Sequence, residues 1–263
     1  MSLEAVIFDV DGTIADTERH GHRVAFNLAF EHLGLSYRWD EETYGRLLEV
    51  PGGQQRLDHY LSGQGMAPSD RASLAPELHR LKQELFLELM QRGAAPLRPG
   101  VDRLLDELAA EGIRVAVATT GGRAWVVELL RTLLGPERVA RFEAVVTGED
   151  VEARKPDPEV YLTALERLGI TAPAALAVED SGLGVEAAKA AGLACLAIRN
   201  AYTAGHDFAR ADLVVEDLGV PGHPSGGPGV PATVVANPHR IDVEPVVGAG
   251  TLRRLLAASV PER

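Results

Sequence analysis

Short, continuously apolar segments recur at wide intervals along the chain, and patterns typical of amphipathic helices separate most of them. The apolar segments cover residues 5–8, 115–118, 144–147, 174–178, 194–198 and 213–215. Between the later segments, apolar residues follow helical spacing over 101–111, 124–134, 158–168 and 184–191. A fully apolar run of this length is typical of a strand that is buried on both faces. The alternation predicts an α/β protein built on a doubly wound, Rossmann-like parallel sheet.

The stretch between the first and second apolar segments interrupts this alternation. Residues 16–98 show helical periodicity and no convincing strand. Pro96, Pro99 and Gly100 mark the exit from this stretch, because proline and glycine favour turns over helix. We therefore predict an all-helical domain at residues 16–98, inserted into a core that is formed by residues 1–15 and 99–263.

The C-terminal part of the chain differs from both. Residues 219–250 are rich in proline and glycine (GVPGHPSGGPGVP) and show no periodicity, whereas residues 251–258 (TLRRLLAA) have helical spacing. We predict an irregular surface segment followed by a terminal helix.

Charge and cysteine content restrict the partners and the compartment. The formal net charge is -12, without a cluster of Lys and Arg, which disfavours nucleic acid and anionic membranes as partners. Cys195 is the only cysteine, so an internal disulfide is impossible. Since the sequence shows no secretory leader and no apolar run of membrane-spanning length, we expect a cytoplasmic protein, monomeric or dimeric, that acts on a small molecule.

Two acidic residues follow the first predicted strand, at the edge where α/β sheets bind their ligands. Asp9 and Asp11 lie in FDVDGT, and ligands of open α/β sheets bind outside the carboxyl ends of the strands. Two carboxylates this close repel each other unless a cation lies between them, and Mg²⁺ prefers oxygen ligands. Taken alone, the pair is explained equally well by a surface loop whose acids cap the next turn.

Three later motifs could provide partners for these acids. VATTGG ends a strand at Thr119, whose hydroxyl and neighbouring backbone N–H groups can hold an anionic oxygen. RKPDP places Lys155 just before a helix, and VEDS again ends a strand in two acids, Glu179 and Asp180. Singly, these are a common Thr-Gly turn, a solvated lysine and a pair of surface acids. Together with FDVDGT they provide the groups of a phosphoryl-transfer site.

The order FDVDGT, VATT, RKPDP, VEDS resembles the four motifs of the haloacid dehalogenase superfamily, over nearly all of residues 1–218. By position, the resemblance implies that Asp9 is the nucleophile that forms an aspartyl-phosphate. It implies that Asp11 is the general acid and base, and that Thr119 and Lys155 hold the transferring phosphoryl group.

The same resemblance implies a Mg²⁺ site. Asp180 would bind the ion together with Asp9 and the backbone carbonyl of Asp11, and Glu179 would support the site without binding the ion. Mg²⁺ and the Lys155 ammonium would screen the charge that a carboxylate meets when it attacks a phosphate. The acidic pair in VEDS would be out of place in a dehalogenase, so it favours phosphorus chemistry over halide chemistry.

The predicted helical domain resembles the superfamily's small helical cap, which closes over the site and reads the substrate. The segments ADTE, YRWD, YGRLLEVPGGQQR and LRPG are similar to the CbbY-type branch, whose members include xylulose-1,5-bisphosphate phosphatases. The resemblance therefore implies a sugar phosphate of the Calvin cycle as substrate, with xylulose 1,5-bisphosphate favoured.

Residues that would bind the second phosphate and the sugar hydroxyls follow from this resemblance. They are Glu18, His22, Tyr44, Gly52, Gly53 and Arg56 in the cap, with Thr120 and Gly121 in the core. Arg56 can make a bidentate phosphate contact, and the paired glycines let backbone N–H groups approach an anion. The alternatives are that Tyr44 and Trp39 form the core of the cap and that Arg56 is a solvated helix residue.

The chain departs from this branch at two places. Gln54 stands where relatives commonly carry a lysine, which removes a positive charge from the expected phosphate site. The stretch 18–22 (ERHGH) is one residue longer than usual, so that either His20 or His22 could face the substrate. The spacing of His22 to Phe26 (HRVAF) favours His22.

Two other functions remain open from the sequence. A phosphomutase similar to β-phosphoglucomutase shares all four motifs and differs in returning the phosphoryl group to a sugar. A non-catalytic binding protein that retains the fold would be expected to lose Asp9, Asp11, Lys155 or Asp180, and all four are present.

Overall fold

The computed structural model describes residues 2–50, 52–222 and 229–259, which form two compact units. One unit comprises Met1–Ala15 and Leu97–Arg263, and the other comprises Asp16–Pro96. The first unit resumes at Leu97, two residues before the predicted position 99. Leu97 forms an isolated antiparallel bridge with Ala15, and the Arg98 N–H donates to the Ile14 carbonyl at 2.8 Å. Backbone pairing of these residues sets the boundary.

The first unit contains a seven-stranded sheet in the order β3-β2-β1-β4-β5-β6-β7. Its strands are β1 (Ala5–Phe8), β2 (Arg114–Ala118), β3 (Phe142–Val146), β4 (Ala175–Glu179), β5 (Ala194–Ile198), β6 (Leu213–Val215) and β7 (Val234–Ala236). All neighbouring pairs are parallel except β6 and β7. The predicted doubly wound parallel sheet is therefore confirmed. Every residue of β1, β4 and β5 is buried, which is why these segments are continuously apolar except for Glu179 at the end of β4.

Amphipathic helices connect these strands. The N-terminal helices of the chain belong to the second unit, so those of the sheet unit are numbered α5 (Val101–Ala110), α6 (Arg123–Val139), α7 (Glu159–Leu168), α8 (Gly182–Ala190) and α9 (Ala249–Ser259). α6 is broken at Gly135, where φ is 75°. α7 ends at Gly169 in the left-handed conformation, which a residue without a side chain adopts at little cost. The helices predicted for this unit are all present.

The C-terminal stretch contains one strand that the sequence did not predict. β7 pairs antiparallel with β6 within the stretch 219–250, and residues 223–228 of that stretch lie outside the described part of the chain. β7 is three residues long and lies at the sheet edge, with exposed residues throughout. Neither a continuous buried run nor an alternation can be detected in so short a segment.

In its described residues the second unit consists of helices without a strand. These are a π-helical turn at Glu18–His22, α1 (Arg23–His32), α2 (Glu41–Leu47), α3 (Gly53–Gly63) and α4 (Pro68–Gln91). Its core is aromatic: Phe26, Phe30 and Trp39 are buried, with the rings of Phe26 and Trp39 4.6 Å apart. No helix in the described parts of either unit is both long and apolar enough to cross a membrane.

The π-helical turn coincides with residues 18–22, the stretch that the family resemblance implies is one residue longer than in relatives. A π-helical turn takes up one extra residue within a helix while the flanking turns keep their register. The turn at Glu18–His22 runs directly into α1. Such a turn would absorb an extra residue locally, so that α1 keeps its helical spacing.

Candidate active site

The predicted catalytic residues meet at the carboxyl ends of adjacent strands. β1 lies between β2 and β4, with Phe8 paired to Val117 on one side and to Val178 on the other. The residues that follow these positions include Asp9 and Glu179, and the Asp9 N–H donates to the Val178 carbonyl at 3.0 Å. Parallel pairing therefore brings FDVDGT, VATT and VEDS to one edge of the sheet.

Lys155 contacts all three of these motifs. Its ammonium lies 2.7 Å from Asp9 Oδ1 and 2.5 Å from Glu179 Oε1, and it donates to the Ala118 carbonyl at 3.0 Å. The side chain of Lys155 is 9% exposed. Two carboxylates and a carbonyl therefore hold it in the site, and the solvated-lysine alternative is wrong.

The pKa shifts of these groups reflect a buried site that contains more carboxylates than ammonium groups. Burial raises the pKa of Asp9 to about 7, with Lys155 opposing the shift and Glu179 adding to it. Burial, with the charges of Asp9 and Glu179, also raises the pKa of Asp180 well above its ordinary value. Although burial lowers it, the pKa of Lys155 is raised overall by its two carboxylate partners. One ammonium does not neutralise this cluster.

The carboxylates are placed to hold a cation. Among the described residues, ligand oxygens of Asp9, Glu179 and Asp180 lie within 4.8 Å of one another, all on buried side chains. Glu179 Oε1 accepts bonds from Lys155 and from the Tyr161 hydroxyl, both at 2.5 Å, so this oxygen is already engaged. A divalent cation with oxygen ligands would offset the excess charge. The residues therefore fit Mg²⁺, with Glu179 held mainly by protein donors.

Gly12 makes room for the Asp180 carboxylate. Its φ is 75°, and a Cβ on this residue would lie 2.1 Å from Asp180 Oδ2 and 2.9 Å from Asn200 Nδ2. Any side chain at position 12 would displace Asp180. The glycine of FDVDGT thus adopts the positive φ of the turn and also leaves space for Asp180 of the VEDS motif.

The loop after β2 presents the Thr119 hydroxyl. The Thr119 N–H donates to the Val146 carbonyl at 3.0 Å, and Thr119 Oγ1 accepts the Gly121 N–H at 3.1 Å. The Gly121 N–H, expected to approach the substrate, is therefore engaged by Thr119. Thr120 is half-buried in the same loop.

Two site residues were missed by the sequence analysis. The buried Tyr161, on α7, donates its hydroxyl to Glu179, and Asn200, just after β5, donates to Asp180 Oδ2 at 2.7 Å. Asn200 has the signal used for the other motifs, a polar residue just after an apolar strand. Tyr161 reads from sequence as an ordinary buried helix residue.

The expected substrate residues of the helical unit include a polar chain. The Tyr44 hydroxyl donates to Glu18 Oε2 at 2.5 Å, and Arg56 Nη1 donates to the same hydroxyl at 3.4 Å. Arg56 Nε also donates to the Leu47 carbonyl at 2.9 Å, so Arg56 is not a freely solvated residue. Tyr44 and Trp39 are both fully buried, which confirms that they belong to the core of this unit.

His22, another expected substrate residue of the helical unit, contacts side chains of α4. His22 Nδ1 is 2.7 Å from Lys82 Nζ, and the His22 ring stacks on Phe86 at 3.9 Å. His20 Nε2, in contrast, lies 3.7 Å from an Asp16 carboxylate oxygen and its side chain is 44% exposed.

The paired glycines of this unit differ in their surroundings. Gly52 is exposed, with φ 84°, and its carbonyl accepts the Arg56 N–H. A Cβ on Gly53 would lie 2.8 Å from the His79 ring, so a larger residue at position 53 would displace that histidine.

Bound Mg²⁺ is expected to stabilise the protein more at alkaline than at acid pH. The pKa of Asp9 is raised from 3.8 to about 7, so the folded metal-free protein binds more protons than the unfolded chain and loses stability as pH rises through this window. A cation replaces those protons. At a fixed free Mg²⁺ concentration of about 100 times the Kd at pH 8, we expect the free energy of unfolding to rise by ~2.7 kcal/mol near pH 8. At the same concentration it should rise by less near pH 5, where protons compete with the ion and weaken its binding.

Thermal unfolding with and without Mg²⁺ measures this effect. The Asp180→Asn variant should lose the stabilisation, whereas Asp102→Asn, on the exposed first turn of α5, should keep it. Equal stabilisation by Mg²⁺ near pH 5 and near pH 8 would contradict the assignment of these carboxylates as the Mg²⁺ site. Full stabilisation of Asp180→Asn would contradict it as well.

Comparison with known proteins gives a consistent set of relatives. The family model described as haloacid dehalogenase-like hydrolase matches residues 6–198. The protein CbbY of Rhodobacter capsulatus is 42% identical over 83% of this chain and 95% of its own length. Crystal structures of CbbY from Rhodobacter sphaeroides share 40% identity and cover 82% of this chain and 94% of theirs. One is a complex with phosphate (TM-score 0.69) and one is a mutant in complex with xylulose-(1,5)bisphosphate (TM-score 0.68).

Proposed function

Since the chain belongs to the haloacid dehalogenase-like hydrolase family and is a phosphatase, we propose that it is a Mg²⁺-dependent enzyme. Its proposed reaction is the hydrolysis of xylulose 1,5-bisphosphate through an aspartyl-phosphate. The observation that carries the proposal is the position of Lys155, whose ammonium bridges Asp9 and Glu179 beside Asp180. A phosphate dianion can approach a carboxylate nucleophile only where positive charge offsets the repulsion.

Asp9 is assigned the nucleophilic role. It is buried at the end of β1 and fixed by backbone pairing to β4, while Lys155 holds one of its carboxylate oxygens. Its carboxylate attacks phosphorus, the bond from phosphorus to the sugar oxygen breaks, and the phosphoryl group is carried on Asp9. When bound, Mg²⁺ supplies further positive charge to the transferring group.

Asp11 is assigned the proton transfers. It follows Asp9 by two residues and is half-buried, so solvent can reach a side chain beside the reacting carboxylate. As general acid it gives its proton to the leaving sugar oxygen. As general base it then takes a proton from the water that attacks the aspartyl-phosphate, which releases inorganic phosphate and restores both residues.

The Thr119 hydroxyl is assigned to the transferring phosphoryl group. Its oxygen already accepts the Gly121 N–H, so its own hydrogen can be donated to an anionic oxygen. Lys155 and Thr119 would then provide an ammonium and a neutral donor.

Recognition of the rest of the substrate is assigned to the helical unit. In the chain formed by Glu18, Tyr44 and Arg56, the buried Tyr44 hydroxyl bonds to the Glu18 carboxylate and to the Arg56 guanidinium, and so fixes the positions of these two charged groups. Such groups suit sugar hydroxyls and a second phosphate. His22, Gly52 and Gly53 remain assigned to substrate binding, with Thr120 and Gly121 in the core, as the resemblance implies. A small-molecule substrate and a cytoplasmic setting belong to the same proposal.

Specificity constants across a panel of sugar phosphates test the function. We expect Mg²⁺-dependent phosphate release with xylulose 1,5-bisphosphate at least about 100-fold preferred over ribulose 1,5-bisphosphate and over hexose monophosphates, because a site built for particular hydroxyls leaves its polar groups unpaired with the wrong sugar. No phosphate release from any member of the panel would contradict the phosphatase assignment. A preference for another sugar phosphate would overturn only the choice of substrate.

The phosphomutase alternative is separated by the product. Glucose 6-phosphate formed from β-glucose 1-phosphate with a bisphosphate primer, faster than phosphate is released, would replace hydrolysis by phosphoryl transfer to sugar. The expected result is phosphate release without this isomerisation.

A further inference from the structure

The indole ring of Trp125 lies against the backbone of the loop that carries Thr119. Trp125 is in the first turn of α6, and its ring occupies the space that a side chain at position 121 would need. A Cβ on Gly121 would lie 2.3 Å from Trp125 Cζ2 and 3.1 Å from both Cε2 and Cη2. The glycine and the tryptophan are therefore complementary in shape, and neither position can change size without affecting the other.

The residues after β3 pack on the same loop. The Gly148 N–H donates to the Gly121 carbonyl at 3.0 Å, and a Cβ on Gly148 would lie 2.7 Å from the Thr120 carbonyl oxygen. Residues 119–121 are thus held by Trp125 and by Gly148.

The position of Gly121 determines how Thr119 is presented. The Gly121 N–H donates to Thr119 Oγ1 at 3.1 Å, which orients the hydroxyl and leaves its hydrogen to be donated to another group. A displacement of Gly121 would break this bond or turn the hydroxyl. Since a displacement of about 1 Å can cost about 10²-fold in rate, the packing of the loop bears directly on turnover.

We propose that Trp125 is a positioning residue, which presses residues 119–121 into the conformation that presents the Thr119 hydroxyl to the phosphoryl group. The inference rests on the proposed phosphatase function and adds a residue that none of the four motifs contains. Trp125 acts through Gly121 and Thr119, so it should affect the chemical step more than the binding of the sugar.

A double-mutant cycle between positions 121 and 125 tests this coupling. We expect Gly121→Ala to lower kcat about 100-fold and Trp125→Ala to lower it about 10-fold, with a larger effect on kcat than on KM in each variant. Because Trp125→Ala empties the space that the alanine needs, the double variant should be within about threefold of Trp125→Ala. Trp125→Phe, which keeps a ring, should recover most of the activity.

Gly122→Ala is the matched control. Gly122 has φ -72°, and its added Cβ would lie 3.5 Å from the nearest Trp125 atom, an ordinary contact. This variant should lose less than about threefold in kcat.

The outcomes separate the inference from the function on which it rests. A wild-type protein without phosphatase activity would overturn the proposed function. An active wild type with independent, multiplicative losses, or with Trp125→Phe as impaired as Trp125→Ala, would overturn the positioning role. If Gly121→Ala alone does not fold, a folded double variant with the activity of Trp125→Ala still supports the coupling, and an inactive one contradicts it.

Discussion

Replacing Asp9 by asparagine is expected to abolish turnover, with a loss of roughly 10⁴-fold or more in kcat. The amide has nearly the shape of the carboxylate but cannot form the aspartyl-phosphate. The burial that raises the pKa of Asp9 to about 7 is harmless to a neutral side chain, so the variant should fold with Mg²⁺ absent. Phosphate release measured alongside thermal unfolding separates the two effects.

Asp102→Asn is the control for this substitution. Asp102 is exposed in the first turn of α5, where the same change should leave kcat within about twofold. Activity of Asp9→Asn comparable with that of Asp102→Asn would remove Asp9 as the nucleophile.

Replacing Lys155 by methionine is expected to impair both turnover and stability. The ammonium contacts Asp9 and Glu179, whose side chains are 8% and 1% exposed. Breaking a buried ion pair from one side costs about 3–5 kcal/mol, because the remaining charge is left unpaired. Loss of a positive charge from the reacting group should lower kcat by about 10³-fold.

The stability loss in Lys155→Met should depend on pH. Lys155 lowers the pKa of Asp9, so its removal raises that pKa further. The carboxyl is then protonated over a wider range, and the free energy lost should be smaller at acid pH than near pH 8. Urea unfolding at the two pH values measures this difference.

Lys189→Met is the control, because it breaks a comparable ion pair away from the proposed chemistry. Lys189 Nζ lies 2.6 Å from Asp212 Oδ2, and Asp212 is buried before β6. This variant should lose stability and retain the kcat of the wild type. Equal kcat in Lys155→Met and Lys189→Met would show that Lys155 is only structural.

Local sequence patterns were sufficient to predict most of the strands and helices of the sheet unit. β1, β5 and β6 lie where continuous apolar runs predict them, because a strand buried on both faces has no polar positions. Polar residues directly after such strands then indicate the site, since parallel strands bring their carboxyl ends to one edge. Asp9, Thr119 and Asp180 lie at this edge because each directly follows a parallel strand.

Residues that act through contacts distant in sequence could not be found in this way. Tyr161 donates to Glu179 from α7, and nothing in its own segment distinguishes it from a core residue. β7 depends on pairing with β6, because three residues have no pattern of their own.

The sequence by itself determined the parallel sheet and the order of the motifs at the strand ends, and it predicted an inserted helical domain, because local hydrophobicity and the residues at strand ends carry this information. Only the tertiary structure decided that Lys155 is paired with two carboxylates, that Gly12 admits Asp180, and that Trp125 fills the space beside Gly121. These are close approaches between side chains and backbone that are far apart along the chain or on different faces of a turn. They depend on three-dimensional packing at van der Waals distance, which no local pattern of residues encodes.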